Sequence, residues 1–185
     1  MFDLQLIDKS WTLFLDRDGV LNHEKKDNYV LSWEQFRFLD GVKEALKIVN
    51  EQFGIIVIIT NQRCIGKGLL SVEELYLIHS NMIQEIVMAG GRIDKIYFCP
   101  DLNNDSTDRK PNLGMAKQAK HDYPAIDFSK TIMVGNKLSD MEFGRNAGTK
   151  TVFIASTNPD TPFPHSLIDL RFISLSAFAE ALTKS

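Results

Sequence analysis

The chain has only two cysteines, Cys64 and Cys99, in 185 residues, and neither belongs to a pair spaced for metal binding or thiol exchange. A disulfide scaffold is excluded, and a reduced, cytoplasmic setting is expected. Long apolar runs are also missing. The longest purely aliphatic one, Ile55 to Ile59, is far too short to cross a bilayer. The N-terminal stretch, Met1 to Lys9, lacks the basic start and apolar centre of a signal peptide. Nor is there an excess of positive charge: 21 Lys and Arg against 24 Asp and Glu leave a net −3, which offers no footprint for nucleic acid or an anionic membrane. An anionic ligand must therefore be drawn in by a few local groups. No repeat, low-complexity tract or linker divides the chain, so we expect one domain over residues 1–185, acting as a monomer.

What is present is an alternation of strand and helix signals. Leu13-Phe-Leu15 is an apolar run ending in Asp16-Arg-Asp18-Gly19. Ile55 to Ile59, Lys95 to Cys99, Thr131 to Gly135 and Thr151 to Ile154 read as further strands. Between them lie helical patterns: one opened by Asp40 as N-cap with Val42, Ala45, Leu46 and Val49 on one face, one opened by the capping-box pair Ser71 and Glu74, one around Leu113 to His121, and one ending at Asn146. Leu175 to Leu182 suggests a short closing helix. The alternation predicts an α/β fold, a three-layer parallel sheet with helices on both faces. The segment from Tyr29 to Leu39 reads as a loop or short hairpin over the site, too small for a separate cap domain.

In such sheets the ligand lies at the carboxyl ends of the strands. Those ends supply Asp16 and Asp18, Thr60, the basic pair Arg109 and Lys110, and a polar cluster of Asn136 and Asp140. Residues two apart in an extended chain point to the same side, about 6.6 Å apart at Cα, so Asp16 and Asp18 are expected to face one substrate while Arg17 points away. Two like charges so close need a cation or a shared proton. The pair suits covalent phosphoryl transfer: one carboxylate attacks, the other moves protons, and Mg²⁺ offsets the negative charge. Taken singly, Thr60 reads as a strand-end hydroxyl, Lys110 as a solvated lysine and Asp140 as a helix first-turn acid. Gathered at one sheet edge, they read as a site. The four histidines, His23, His79, His121 and His165, show no mutual spacing and are not read as catalytic.

Asp16-Arg-Asp-Gly-Val, Thr60-Asn-Gln, Arg109-Lys-Pro and Val134-Gly-Asn-Lys-Leu-Ser-Asp140 resemble, in order and over nearly the whole chain, the four motifs of the haloacid dehalogenase superfamily of phosphatases. Thr60 to Gly68, Tyr97 to Pro100 and Arg109-Lys-Pro are similar to the small, nearly capless branch of heptose-bisphosphate and histidinol-phosphate phosphatases. The resemblance implies Asp16 as the nucleophile that becomes an aspartyl-phosphate, Asp18 as general acid and then base, Thr60 on a phosphoryl oxygen, and Lys110 beside Asp16. It implies Mg²⁺ held by Asp16, the Asp18 carbonyl and Asn136, with Asp140 as a further candidate. Asn61 and Arg109 are implied as substrate contacts, with Lys137 supporting the acidic cluster. The implied substrate is a small phosphorylated metabolite, a heptose bisphosphate first and histidinol phosphate as the alternative.

Two departures stand out. The motif that usually begins Gly-Asp is here Gly135-Asn136, and an amide attracts a hard cation less than a carboxylate does. This keeps open a different class of function, a phosphate-ligand binding module with weakened catalysis. The branch's zinc loop of three cysteines and a histidine keeps only Cys99, with Asp101, Ser106 and Asp108 near the other ligand positions, a poor structural zinc set. Zinc is not expected.

Overall fold

The computed structural model describes residues 2–25 and 28–184, and its core is built around strands whose polar residues fall mostly at their ends. In chain order the elements are β1 (Thr12–Leu15), α1 (Val42–Gln52), β2 (Ile55–Asn61), α2 (Arg63–Gly66), α3 (Val72–Met88), β3 (Lys95–Cys99), α4 (Gly114–Asp122), β4 (Thr131–Gly135), α5 (Leu138–Ala147), β5 (Lys150–Ile154), β6 (Leu170–Phe172) and α6 (Leu175–Thr183). Six parallel strands run in the order β3-β2-β1-β4-β5-β6. A parallel sheet must be covered on both faces, because its crossover helices lie there. Leu13 and Leu15 of β1 accordingly meet α1, α3 and α6 on one face, while Phe14 between them meets α4 and α5 on the other.

The expected α/β, three-layer architecture is the one observed. Three local readings change. The N-cap of α1 is Gly41, at φ +72°, rather than Asp40: the chain turns through the left-handed region there, and a Cβ would come within 2.8 Å of the Ser176 hydroxyl. The four-residue α2 and the edge strand β6 carry too few residues for a periodic signal. The Ser71–Glu74 capping box forms as read, with both reciprocal hydrogen bonds. The segment between β1 and α1 is a loop with one short 3-10 turn at Trp33–Gln35; Lys26 and Asp27 in it lie outside the described residues.

Register positions the site. Thr12 pairs with Ile55 of β2 and with Thr131 of β4, and both neighbours run past the end of β1, so Asp16 emerges between Ile59-Thr60 on one side and Gly135-Asn136 on the other. On each side of β1 the connections run to opposite edges of the sheet, which opens a crevice there.

The α1 and α6 layer is remote from that crevice and is held by Phe178, fully buried and 5.6 Å from the Phe172 ring. Phe178→Ala should cost about 3–5 kcal/mol of unfolding free energy, read by urea denaturation, and leave ligand affinity at the strand ends unchanged.

Candidate active site

Asp16 is the first residue past β1, and its amide donates to the Val134 carbonyl at 2.9 Å, which fixes it beside β4. Lys110 approaches from the loop after β3, and its ammonium lies 2.8 Å from Asp16 Oδ1 and 2.7 Å from Asp140 Oδ1. All three side chains are almost wholly buried. One ammonium between two carboxylates leaves one excess negative charge in a dry place. Burial pushes the Asp16 carboxyl up to about 7, with Lys110 opposing and Asp140 reinforcing the rise. Burial alone would lower Lys110, but Asp140 and Asp16 together outweigh it and hold its pKa above the usual lysine value.

Two neighbours keep Lys110 and Asp140 in place. Asn61 accepts the Lys110 amide at 3.1 Å and donates to the Lys110 carbonyl at 3.3 Å. Asp140 Oδ2 accepts the Lys137 amide at 3.0 Å. Gly135 makes this possible, since a Cβ there would sit 2.2 Å from the Asp140 Cβ. Asn61, expected on the substrate, spends its amide on the Lys110 main chain. Asp140, a further metal candidate, has both oxygens engaged by Lys110 and by its own helix start.

Asp18 forms a second, half-buried centre. Arg17 does not point away: its Nη2 lies 2.9 Å from both Asp18 oxygens, and its side chain is buried. Arg17 folds inward because a charge excluded from water takes the nearest carboxylate. Asn22 and Gln62 each donate to Asp18 at 2.9 Å, and Gln62 also donates to the Thr60 hydroxyl at 2.9 Å. Burial raises the Asp18 carboxyl, but Arg17 and these hydrogen bonds outweigh it and hold the pKa below the usual aspartate value. Behind Arg17, His79 Nε2 lies 3.1 Å from Nη1. Arginine only donates, so this nitrogen is the acceptor and the imidazole is neutral. Burial, reinforced by the Arg17 charge, pushes the His79 pKa down to about 3.

Asp16, Arg17, Asp18, Thr60, Gln62 and Lys110 line a cavity of about 270 Å³ that also takes in Arg63, Arg109, Glu24 and Lys137 at its rim. Tyr29 and Val30 of the first loop close one side, as a loop over the site should. Burial and the nearby Arg63 charge lower the Arg109 pKa. The loop after β3 is knitted by direct contacts: Ser106 donates to Asp101, Arg63 donates to the Leu102 carbonyl at 3.0 Å, and Cys99 Sγ lies 4.0 Å from the Ser106 hydroxyl.

Among the described residues no three His, Cys, Asp or Glu side chains stand close enough to hold a metal. A cation here would have to draw on amide and main-chain oxygens as well as Asp16. One such oxygen is available: Asn136 is fully buried, and its Oδ1 has no hydrogen-bond partner. An orphaned buried amide oxygen on the residue after β4, next to the strand end that delivers Asp16, suits a hard, oxygen-seeking cation.

The family model for polynucleotide kinase 3 phosphatase matches residues 4–173. The chain belongs to that family. It is a phosphatase of the haloacid dehalogenase superfamily, as its four motifs implied. It is 34% identical over 173 residues to the D-glycero-alpha-D-manno-heptose-1,7-bisphosphate 7-phosphatase of Mycobacterium bovis, covering 93% of this chain and 91% of the relative. It is 32% identical over 182 residues to the D-glycero-beta-D-manno-heptose-1,7-bisphosphate 7-phosphatase of Escherichia coli, covering 93% of each. Its fold matches the D,D-heptose 1,7-bisphosphate phosphatase of B. bronchiseptica, solved with magnesium and phosphate, at a TM-score of 0.84 and 26% identity, over 94% of this chain and 98% of that one.

Sequence reasoning passed over Gln62, Arg17, His79 and Glu24. Gln62 was within reach, since it follows Thr60 at period two and so shares its side of the chain.

Between pH 6.5 and pH 3 the unfolded chain protonates His79 while the native protein does not, so acidification removes stability. From pH 6.5 to 5 the loss is about 2 kcal/mol. Asp16 acts in the opposite sense over an overlapping range, because its raised pKa makes the native state the better proton binder. The His79 contribution is therefore read as a difference: stability of His79→Gln, measured by urea unfolding from pH 7 to 5, should fall less than that of the wild type by that amount.

Proposed function

We propose that the chain hydrolyses a small sugar phosphate, D-glycero-D-manno-heptose 1,7-bisphosphate, through an aspartyl-phosphate on Asp16, with Mg²⁺ as cofactor. The observation that carries this reading is the arrangement of Asp16, Lys110, Asp18 and Thr60 around one cavity at the end of β1. The names of the relatives supply the substrate. Asp16, the Asp18 carbonyl and the Asn136 amide oxygen would hold the cation. Bound there, it neutralises charge on the phosphoryl oxygens and draws Asp16 into its ionised form.

The side chains then divide the work. A carboxylate oxygen of Asp16 attacks phosphorus, and the bond from phosphorus to the sugar oxygen breaks. Asp18 gives its proton to that leaving oxygen; the incoming phosphate's negative charge raises the proton affinity that Arg17 otherwise depresses. In the second half Asp18 takes a proton from water as the water oxygen attacks phosphorus, and the bond to Asp16 breaks. Lys110 and the Thr60 hydroxyl stabilise the transferring oxygens. Asp140 and Asn61 act on Lys110 and not on the substrate.

A second phosphate on the substrate has a recipient at the rim. Burial and the nearby Arg63 charge lower the Arg109 pKa there, and Arg63 Nε is buried without a partner. An anion between two such guanidiniums relieves the repulsion. A cationic substrate such as histidinol phosphate gains nothing from this pair.

Phosphate release is measured on both anomers of heptose 1,7-bisphosphate, histidinol phosphate, common sugar monophosphates and a 3′-phosphorylated oligonucleotide, with Mg²⁺ or EDTA. The heptose bisphosphate should lead, EDTA should abolish turnover, and Asp16→Asn should lower it at least roughly a thousandfold. A preference for histidinol phosphate or the oligonucleotide would overturn the substrate, and turnover by Asp16→Asn would overturn the mechanism. Arg109→Ala should raise KM for the bisphosphate about tenfold and change KM for a monophosphate much less.

A further inference from the structure

Position 136, where the motif usually carries an aspartate, holds a neutral amide, and the structure shows what stands behind it. Asn136 Nδ2 donates to Glu24 Oε2 at 3.1 Å and to the Thr157 hydroxyl at 2.5 Å. Glu24 comes from the loop after β1, 112 residues earlier in the chain. Its other oxygen pairs with the Lys137 ammonium.

This arrangement has a directional consequence. An ionised carboxylate only accepts, so the end of the amide that faces Glu24 must be the NH₂ end. The carbonyl end is then forced the other way, and it is this oxygen that is buried without a partner. On the near side the amide lies against Gly19, where a Cβ would fall 2.0 Å from Nδ2 and 3.2 Å from Oδ1. Gly19 sits at φ +86°, the turn that carries Asp18 away from β1. The amide is thus wedged between that turn and Glu24, with one orientation open to it. An aspartate at the same position could not accept this setting, because its second oxygen would face Glu24 at hydrogen-bond distance with no proton between them.

We propose that Glu24 is a positioning residue of the cation site: it fixes the Asn136 amide with Oδ1 toward the cation and supplies, one atom layer further out, the negative charge that the asparagine lacks. The proposal rests on the reading of Asp16, the Asp18 carbonyl and Asn136 as the cation's ligands and extends that set outward. Toward the cation, Glu24 acts through Asn136. Outer groups that orient a ligand commonly change metal affinity 10–100-fold. The site therefore works with asparagine only together with its glutamate, and the two positions are coupled.

Direct titration of Mg²⁺ by calorimetry, with Mn²⁺ as a second probe, tests this on the folded protein without substrate, each variant's thermal unfolding serving as the check on folding. Glu24→Gln keeps an acceptor and loses the charge; it should weaken Mg²⁺ several-fold. Glu24→Ala loses both and should weaken it at least about tenfold. Asn136→Asp alone should gain little, because its new charge meets Glu24. The double variant Glu24→Gln with Asn136→Asp should bind Mg²⁺ tighter than either single variant, a non-additivity that independent sites do not produce. Unchanged Mg²⁺ affinity in folded Glu24→Ala, with Asp16→Asn abolishing binding, would overturn the role of Glu24 and leave the ligand set standing. Additive effects in the double variant would overturn the coupling. Absence of Mg²⁺ binding by the wild type would overturn the ligand set itself and the proposal with it.

Discussion

Most of the site depends on one buried ammonium. Lys110 sits between Asp16 and Asp140 in a place with little water, and removing it would leave two carboxylates facing each other without a counter-charge. The surrounding structure can be read as what holds that ammonium. Asn61 at the end of β2 grips its main chain from both sides, Gly135 leaves the space in which Asp140 stands, and the start of α5 fixes Asp140's second oxygen. Elements from three connections of the sheet thus converge on one charge. Their convergence sets the proton affinity of Asp16: burial raises it, Lys110 opposes the rise and Asp140 reinforces it.

The two aspartates of the Asp-x-Asp pair end up in different electrostatic worlds although they are separated by one residue. Asp16 is buried with a shared cation and is pushed up; Asp18 has an arginine of its own and is held down. Arg17 makes the difference, and His79 makes Arg17's position possible by accepting from it as a neutral ring. Such splitting lets two identical carboxyl groups take unequal parts in a phosphoryl transfer.

The sequence disclosed the floor of the site and little of its walls. The strands were legible because continuous β-branched runs such as Ile55 to Ile59 have no other use in a chain of this composition, and Asp16, Thr60, Lys110 and Asn136 were legible because each closes such a run or follows a motif. The Ser71–Glu74 pair announced the start of α3 from four residues alone. What escaped depends on partners far away in the chain. Nothing near Arg17 in sequence says that His79 lies behind it, 62 residues on, and nothing near Glu24 says that it meets Asn136, 112 residues on. The bonds of Asn61 to the Lys110 main chain escaped for the same reason, since that partner lies 49 residues on. Asp40 lost the helix start to Gly41 because the chain enters α1 through a positive φ that only the three-dimensional path demands.

The divergence of connections on either side of β1 has a consequence for how such an enzyme can change. The groups at the bottom of the crevice belong to strands locked by register on both sides, and shifting any of them by one residue would turn the side chains of the whole strand over. The rim is contributed by separate loops, after β1, β2, β3 and β4, which meet through side-chain contacts such as Arg63 to the Leu102 carbonyl and Lys137 to Glu24. Chemistry and molecular recognition are therefore inherited on different timescales within one chain: the first can be altered only by rebuilding the sheet, while the second can drift loop by loop and carry the same reaction to a new metabolite.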